Sequence, residues 1–428
     1  MIDEPPCGSR RLKVAQFTDN YGPGSNGLMF AVQQLEGNLL DAGHEVVVVA
    51  PKAKGPNPHL GREGRVEIRL PSVRVPNMPT RVASGARFER TIEKIRDLDP
   101  DVLHVHGLGT VGALGVWAAR RLRKPLLMTW HTDFDAYADH YSAVLPLLRG
   151  VVQAFARITH GEVVDVEDLR EAAVRFEDRG RSTATLLGLC KKMLDSSYLV
   201  TTPSPKTASR CRELAPDANI MVVPNGVDPL PEGPPPMERP PGPLVLYAGR
   251  IAPEKGLPLL VEAFEMVVAQ RPDARLMVVG DWQRYPRIKK VLAAGRDRGH
   301  IILPGEQKRD ALGAFYQLAD VFAFPSQTDT QALVLHEAAL AGLPIVSVDP
   351  GLQLVLEPGV NGELARPTPA SLAAALMRVI NRLPDARWRA RASATSKRLA
   401  GQWSIDSQAQ EMLRLYGLVA ERAPVLTR

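Results

Sequence analysis

With 428 residues and 45% hydrophobic side chains, the chain has apolar material for more than one core; at roughly 100–200 residues per domain, two sizeable domains are expected. A formal charge of +6 would permit nucleic acid, but the basic residues are scattered without a recognition motif or aromatic interleaving, so nucleic acid is not an expected partner. Cys7, Cys190 and Cys211 fall in no metal-ligand or disulfide spacing, and no run approaches the roughly eighteen apolar residues of a membrane helix or resembles a signal core. These features predict a cytoplasmic protein without structural zinc, in at most peripheral contact with the inner membrane face.

Leu12 to Phe17 reads as a buried strand, followed by the glycine-rich run Gly22-Pro23-Gly24-Ser25-Asn26-Gly27 and a helical pattern from Leu28 to Ala42. Glu45 to Ala50 is a Val-rich strand of the kind buried on both faces. A helix at Arg87–Leu98 feeds a strand at Asp101–Val105, and further strands are predicted at Pro125–Trp130, Tyr198–Thr202 and Ile220–Val223. This alternation argues for a parallel α/β sheet.

Prolines then recur between Pro229 and Pro243, which excludes helix or central strand and predicts an extended linker. Beyond it the alternation resumes, with strands expected at Leu244–Ala248, Arg275–Val279, Ile301–Leu303, Val321–Phe324 and Ile345–Val348, and a terminal helix at Ser404–Ala423. The expected fold class is therefore two doubly wound, Rossmann-like domains facing a central cleft. The expected limits are 1–228 for the first domain, 229–243 for the linker, 244–403 for the second domain, and 404–428 for a helix returning to the first domain. Ligands of such sheets bind beyond the strand C-termini.

At one such strand end stands Gly249-Arg250-Ile251-Ala252-Pro253-Glu254-Lys255-Gly256, placing Arg250 and Lys255 on a strand-to-helix connection. Two fixed cations beside a helix N-terminus suit a diphosphate. Asp329 and Glu337 follow, eight positions apart, as candidate acceptors for hydroxyl groups. Together with Pro224-Asn225-Gly226-Val227-Asp228, Val279-Gly280-Asp281, Ala319-Asp320-Val321-Phe322, Pro325-Ser326 and Glu337-Ala338 with Gly342, these segments resemble the retaining glycosyltransferases of family 4, which have the two-domain B-type fold.

The resemblance implies transfer of a hexose or amino-hexose from a nucleotide sugar bound by the second, nucleotide-sugar-binding domain (244–403) to an acceptor bound by the first, acceptor-binding domain (1–228), with UDP as the commonest base in the family, no cofactor and no metal. It implies that Arg250 and Lys255 hold the diphosphate, that Glu337 accepts from the ribose hydroxyls, and that Gly27 and Gly280 lie near the phosphates. Asp329 stands where the family usually has Glu and would meet the transferred sugar, with Thr330, Gln331 and Ala332 beside it. His131, after the strand ending at Trp130, resembles the family histidine near the reacting sugar. Asn26, His106, His131, Asp133 and Asp135 are candidate acceptor contacts. Pro350-Gly351 replaces the usual glycine pair, and Trp282 a typical glycine.

Two acceptor classes remain open. The run Ser326-Gln327-Thr328-Asp329-Thr330-Gln331 with His131-Thr132-Asp133-Phe134 looks similar to bacterial enzymes that glycosylate diacylglycerol. The acidic stretch from Gly161 to Arg181, with Asp133, Asp135 and Asp139, would instead suit a cationic aminocyclitol of specialised metabolism, such as antibiotic biosynthesis. A regulatory nucleotide-sugar-binding subunit, or an epimerase or phosphorylase of the same fold, is the alternative to transfer.

Overall fold

The computed structural model describes residues 10–22, 27–52, 58–74, 81–131, 145–235 and 237–421. By contact density the described residues divide into two units, one from 1–132, 141–224 and 408–428 and the other from Asn225–Ser407.

The N-terminal unit opens with β1 (Lys13–Phe17), α1 (Gly27–Asp41), β2 (Glu45–Pro51) and β3 (Arg65–Leu70), then a small hairpin, β4 (Ser72–Arg74) and β5 (Arg81–Ala83). It continues through α2 (Phe88–Leu98), β6 (Val102–Val105), α3 (Thr110–Leu122), β7 (Leu126–Thr129), α4 (Leu145–Ile158), α5 (Val166–Arg175), α6 (Arg181–Asp195), β8 (Leu199–Thr202), α7 (Pro205–Leu214) and β9 (Ile220–Val222). The strands pair in parallel in the order β3-β2-β1-β6-β7-β8-β9, so the order reverses between β1 and β6. The buried strands β1, β2, β6 and β7 occupy the middle of this sheet, apolar throughout their buried stretch except for Gln16, His104 and Thr129.

At that reversal Asp19, just past β1, is buried and accepts from the backbone N–H groups of Gly109, Val111 and Gly112 at 3.0, 2.8 and 3.1 Å, at the start of α3. Burial raises its pKa against the lowering pull of those three bonds. A side chain at Gly107 or Gly109 would collide with this carboxylate, with a Cβ only 2.6 Å from it. Behind β1 a second buried network links the Tyr21 hydroxyl to Glu36, which also accepts from Arg65 Nε at 2.5 Å.

The C-terminal unit contains β10 (Leu244–Ala248), α8 (Leu257–Val268), β11 (Arg275–Val279), α9 (Pro286–Asp297), β12 (Ile301–Gly305), α10 (Leu312–Leu318), β13 (Val321–Phe324), α11 (Leu333–Leu340), β14 (Ile345–Ser347), β15 (Gly362–Leu364), α12 (Pro369–Arg382) and α13 (Ala386–Ala400). Its sheet runs β12-β11-β10-β13-β14-β15, all parallel, and reverses between β10 and β13. Period-two alternation splits the strands between two cores. Val245, Tyr247, Leu276, Val278, Val321 and Ala323 pack with α8, α9 and α12. Leu244, Leu246, Ala248, Met277, Val279, Phe322 and Phe324 pack with α10 and α11.

The last helix, α14 (Ile405–Ala420), buries Met412, Leu415, Tyr416 and Val419, the i, i+3, i+4, i+7 spacing of one helix face, in the core of the N-terminal unit beside Val14, Val102 and Leu127. Where the chain enters and leaves the C-terminal unit the two segments are bonded. Val227 N–H donates to Trp403 C=O at 2.9 Å, Ile405 N–H donates to Asp228 at 3.0 Å, and a Cβ on Gly226 would lie 2.5 Å from Ile405 Cα. No helix among the described residues is long and apolar enough to cross a membrane.

Candidate active site

The reversal between β10 and β13 brings two loops of the C-terminal unit together. The first leaves β10 at Gly249 (φ 145°), passes Arg250, forms a short 3-10 turn over Pro253–Lys255, and turns at Gly256 (φ 71°) into α8. Gly256 is required twice, for its left-handed backbone and because a Cβ there would lie 2.4 Å from the carbonyl oxygen of Pro325 in the second loop. Gly280 (φ 150°), after β11, packs its backbone against Gly249, where a Cβ would meet the carbonyl oxygen at 2.3 Å. The buried Tyr247 hydroxyl donates to the Arg250 carbonyl at 3.0 Å, which fixes the first loop from below.

Each cation of this loop faces a carboxylate. Arg250 pairs with Glu254 one turn on, while Lys255 Nζ lies 2.5 Å from Asp329 Oδ1 across 74 positions. Burial would raise the Asp329 pKa, but the Lys255 ammonium, supported by Arg250, holds it below the usual carboxylate range. Thr328 Oγ1 donates to the Glu254 carbonyl at 3.3 Å and ties the two loops together. The guanidinium fork of Arg250 and the ammonium of Lys255 are the groups of this loop with the chemistry to bind a diphosphate.

Glu337, on α11, is 3% exposed, accepting from Tyr316 Oη at 2.9 Å and from Arg309 Nη1 at 2.7 Å. Neither partner was expected from sequence. Arg309 follows the end of β12, the position class that supplied Arg250, and this was the signal available for it. Burial, then the Glu337 charge, pushes the Tyr316 pKa well above its ordinary value.

Thr330 is part-exposed in the second loop, whereas Gln331 is buried with both ends of its amide bonded to Asn225. Ala332 adopts a left-handed conformation (φ 59°) as the residue before α11. Trp282 packs against the core with Arg296 stacked on its ring, so the residue replacing a glycine serves packing. Past β14, Asp349 accepts from Gly351 N–H at 2.8 Å and shapes the turn that holds Pro350.

In the N-terminal unit, Gly27 opens α1, whereas Asn26, Asp133 and Asp135 lie outside the described residues. His106 and His131 follow β6 and β7, adjacent strands, and the structure brings them together with Nδ1 and Nε2 at 3.4 Å. Burial holds both imidazoles neutral, with His131 lowered to about 4. His104 lies inside β6 and is fixed by Tyr416 at 2.6 Å and Thr129 at 2.7 Å, which makes it a pin between the sheet and α14.

Residues 26–229 match the family described as Glycosyltransferase Family 4, and residues 242–382 match Glycosyl transferases group 1. The chain is 27% identical over 368 residues to an alpha-monoglucosyldiacylglycerol synthase from Acholeplasma laidlawii, covering 82% of this chain and 84% of the relative. It is 26% identical over 342 residues to a GDP-mannose-dependent alpha-mannosyltransferase from Mycolicibacterium smegmatis, covering 79% and 80%. Its fold matches a sucrose-phosphate synthase from Thermosynechococcus elongatus at a TM-score of 0.68 and 21% identity, over 96% of this chain and 99% of that one. These transferases and synthases do not favour a binding-subunit, epimerase or phosphorylase reading. Two parallel Rossmann-like sheets with matching halves on either side of the linker lead to one assignment: the chain belongs to glycosyltransferase family 4 and has its B-type fold.

Proposed function

We propose that the protein transfers a hexose from a nucleoside-diphosphate sugar, UDP-linked as first choice, to a hydroxyl of a diacylglycerol-type lipid, with retention of configuration and without a metal. The observation that carries this reading is the convergence of Arg250 and Lys255 at the sheet reversal, with Asp329 and Glu337 on the facing loop and helix. Arg250 and Lys255 neutralise the charge that grows on the diphosphate as its bond to the anomeric carbon breaks. The leaving phosphate oxygen takes the acceptor proton while the acceptor oxygen bonds to the same face of that carbon, so no second carboxylate is needed as a base. Glu337, fixed by Tyr316 and Arg309, accepts from the ribose, and Asp329 and Thr330 serve the sugar. Neutral His131 and His106, able to donate and accept hydrogen bonds, are the acceptor-hydroxyl candidates of the N-terminal unit.

A lipid acceptor is supported by the diacylglycerol-glucosylating relative. The acidic stretch offers a cationic acceptor less than its composition suggested. Glu162 is bonded to Trp117 Nε1 at 2.9 Å and Arg121 at 2.7 Å, Asp168 pairs with Lys192 at 2.7 Å, and Asp165 caps α5. The proposed location is the cytoplasmic face of the membrane, in peripheral contact.

The test is mass spectrometry of products from UDP- and GDP-hexoses offered to diacylglycerol vesicles and, in parallel, to 2-deoxystreptamine. A glycosylated lipid, lost in Arg250→Ala and in Lys255→Ala, is the expected result, each substitution removing about 2–4 kcal/mol of transition-state stabilisation. Transfer to the aminocyclitol alone would replace the lipid assignment, and near-normal turnover in both variants would overturn the site.

A further inference from the structure

Gln331 is 3% exposed, and its primary amide is spent on one residue 106 positions away. Its Oε1 accepts from the Asn225 backbone N–H at 2.8 Å and from Asn225 Nδ2 at 2.7 Å, while its Nε2 donates to the Asn225 carbonyl at 2.9 Å. Both lone pairs of the amide oxygen are thereby used, which leaves this side chain poorly suited to receive a sugar hydroxyl. Asn225 is itself anchored, because the next three residues hold the departing chain at Trp403–Ile405. On the other side of Gln331, Ala332 sits in the left-handed region, a conformation that a residue with a Cβ keeps only when its surroundings over-determine it. The loop bearing Asp329 and Thr330 is therefore held at one end by Lys255 and at the other by the Gln331–Asn225 clamp.

We infer that Gln331 is a positioning residue for the sugar end of the donor, acting through Asn225 rather than touching the sugar; this rests on the function proposed above. A buried amide clamp of three hydrogen bonds fixes where the Asp329 carboxylate and the Thr330 hydroxyl stand, and small misplacements of such groups lower turnover steeply. The clamp does not touch Arg250, Lys255 or Glu337, so nucleotide binding is separable from sugar positioning.

The experiment compares wild type, Gln331→Leu, Asn225→Ala and the double variant for kcat and for the Kd of UDP and GDP. The expected result for Gln331→Leu is a 10- to 100-fold loss of kcat with the nucleotide Kd within twofold of wild type. Asn225→Ala keeps the two backbone bonds and is expected to lose threefold to tenfold, yet to add less than twofold on the Gln331→Leu background, since the two residues act as one unit. Multiplying losses would show that Gln331 contacts the sugar directly, and an unchanged kcat in Gln331→Leu would remove its role; either overturns the inference. Should Gln331→Leu fail to fold, the milder Asn225→Ala decides, with normal turnover refuting the clamp. Arg250→Ala serves as control: its collapse beside an unaffected Gln331→Leu sinks only this inference, whereas its normal turnover sinks the proposed site.

Discussion

Arg250 and Lys255 each face a carboxylate, Glu254 on their own loop and Asp329 on the next, and the Asp329 pair has a consequence that can be measured. Asp329→Asn removes the charge that Lys255 faces in a site shielded from water, and is expected to cost about 2 kcal/mol of stability, read by urea denaturation at pH 7. Because the folded-state pKa of Asp329 is depressed, this contribution is present above the unfolded carboxyl value and is lost as pH falls through the lower folded one. Acid reaches the histidines first. His336 is buried and His131 partly buried, and desolvation lowers each to about 4, so the unfolded chain binds more protons than the folded one between its ordinary value near 6.5 and about 4, and stability falls as the pH falls across that window. His336→Leu is expected to shallow the dependence of unfolding free energy on pH between 7 and 5, by up to about 1.4 kcal/mol per pH unit; an unchanged slope would mean that this imidazole is protonated in the fold. Arg250, Lys255 and Glu337 were legible in the sequence because they sit at fixed offsets in local motifs. Arg309 and Tyr316 were not, since their meeting with Glu337 is created only when α10 and α11 pack on the sheet.

Among the elements, the loop before α11 holds one of the non-glycine residues found in the left-handed region. Ala332 has no steric reason to prefer φ 59°, so Ala332→Gly is expected to raise stability by about 1 kcal/mol, visible as a higher urea midpoint at unchanged slope. Gly256→Ala should act in the opposite sense and more strongly, since φ 71° is combined with a Cβ only 2.4 Å from Pro325; loss of both cooperative unfolding and donor binding is the expected outcome. Central strands such as β2 and β10 were readable because burial on both faces demands unbroken apolar runs. The edge strand β3 was missed: in Arg-Val-Glu-Ile-Arg-Leu the polar residues answer one another, Arg65 and Arg69 pairing with Glu67, and so hide the strand among charges. β15 is three residues long and offers too little pattern to read.

For the whole molecule, the proline-rich stretch and the repeated strand–helix alternation made the two-sheet architecture legible, and the shared strand order then follows from right-handed parallel connections. A shared order over six strands does not give the halves identical chemistry. In the C-terminal sheet the reversal opens between glycine turns and cations, whereas in the N-terminal sheet the amide groups at the start of α3 are already occupied by Asp19. That carboxyl group takes up backbone N–H groups at a helix start, the kind of donors that can otherwise receive a phosphate, and the glycines around it leave no slack. The internal plug thus sets a stoichiometry: calorimetric titration with nucleoside diphosphate is expected to saturate at one equivalent per chain, and a second equivalent would mean that the protein's own carboxyl group had been displaced.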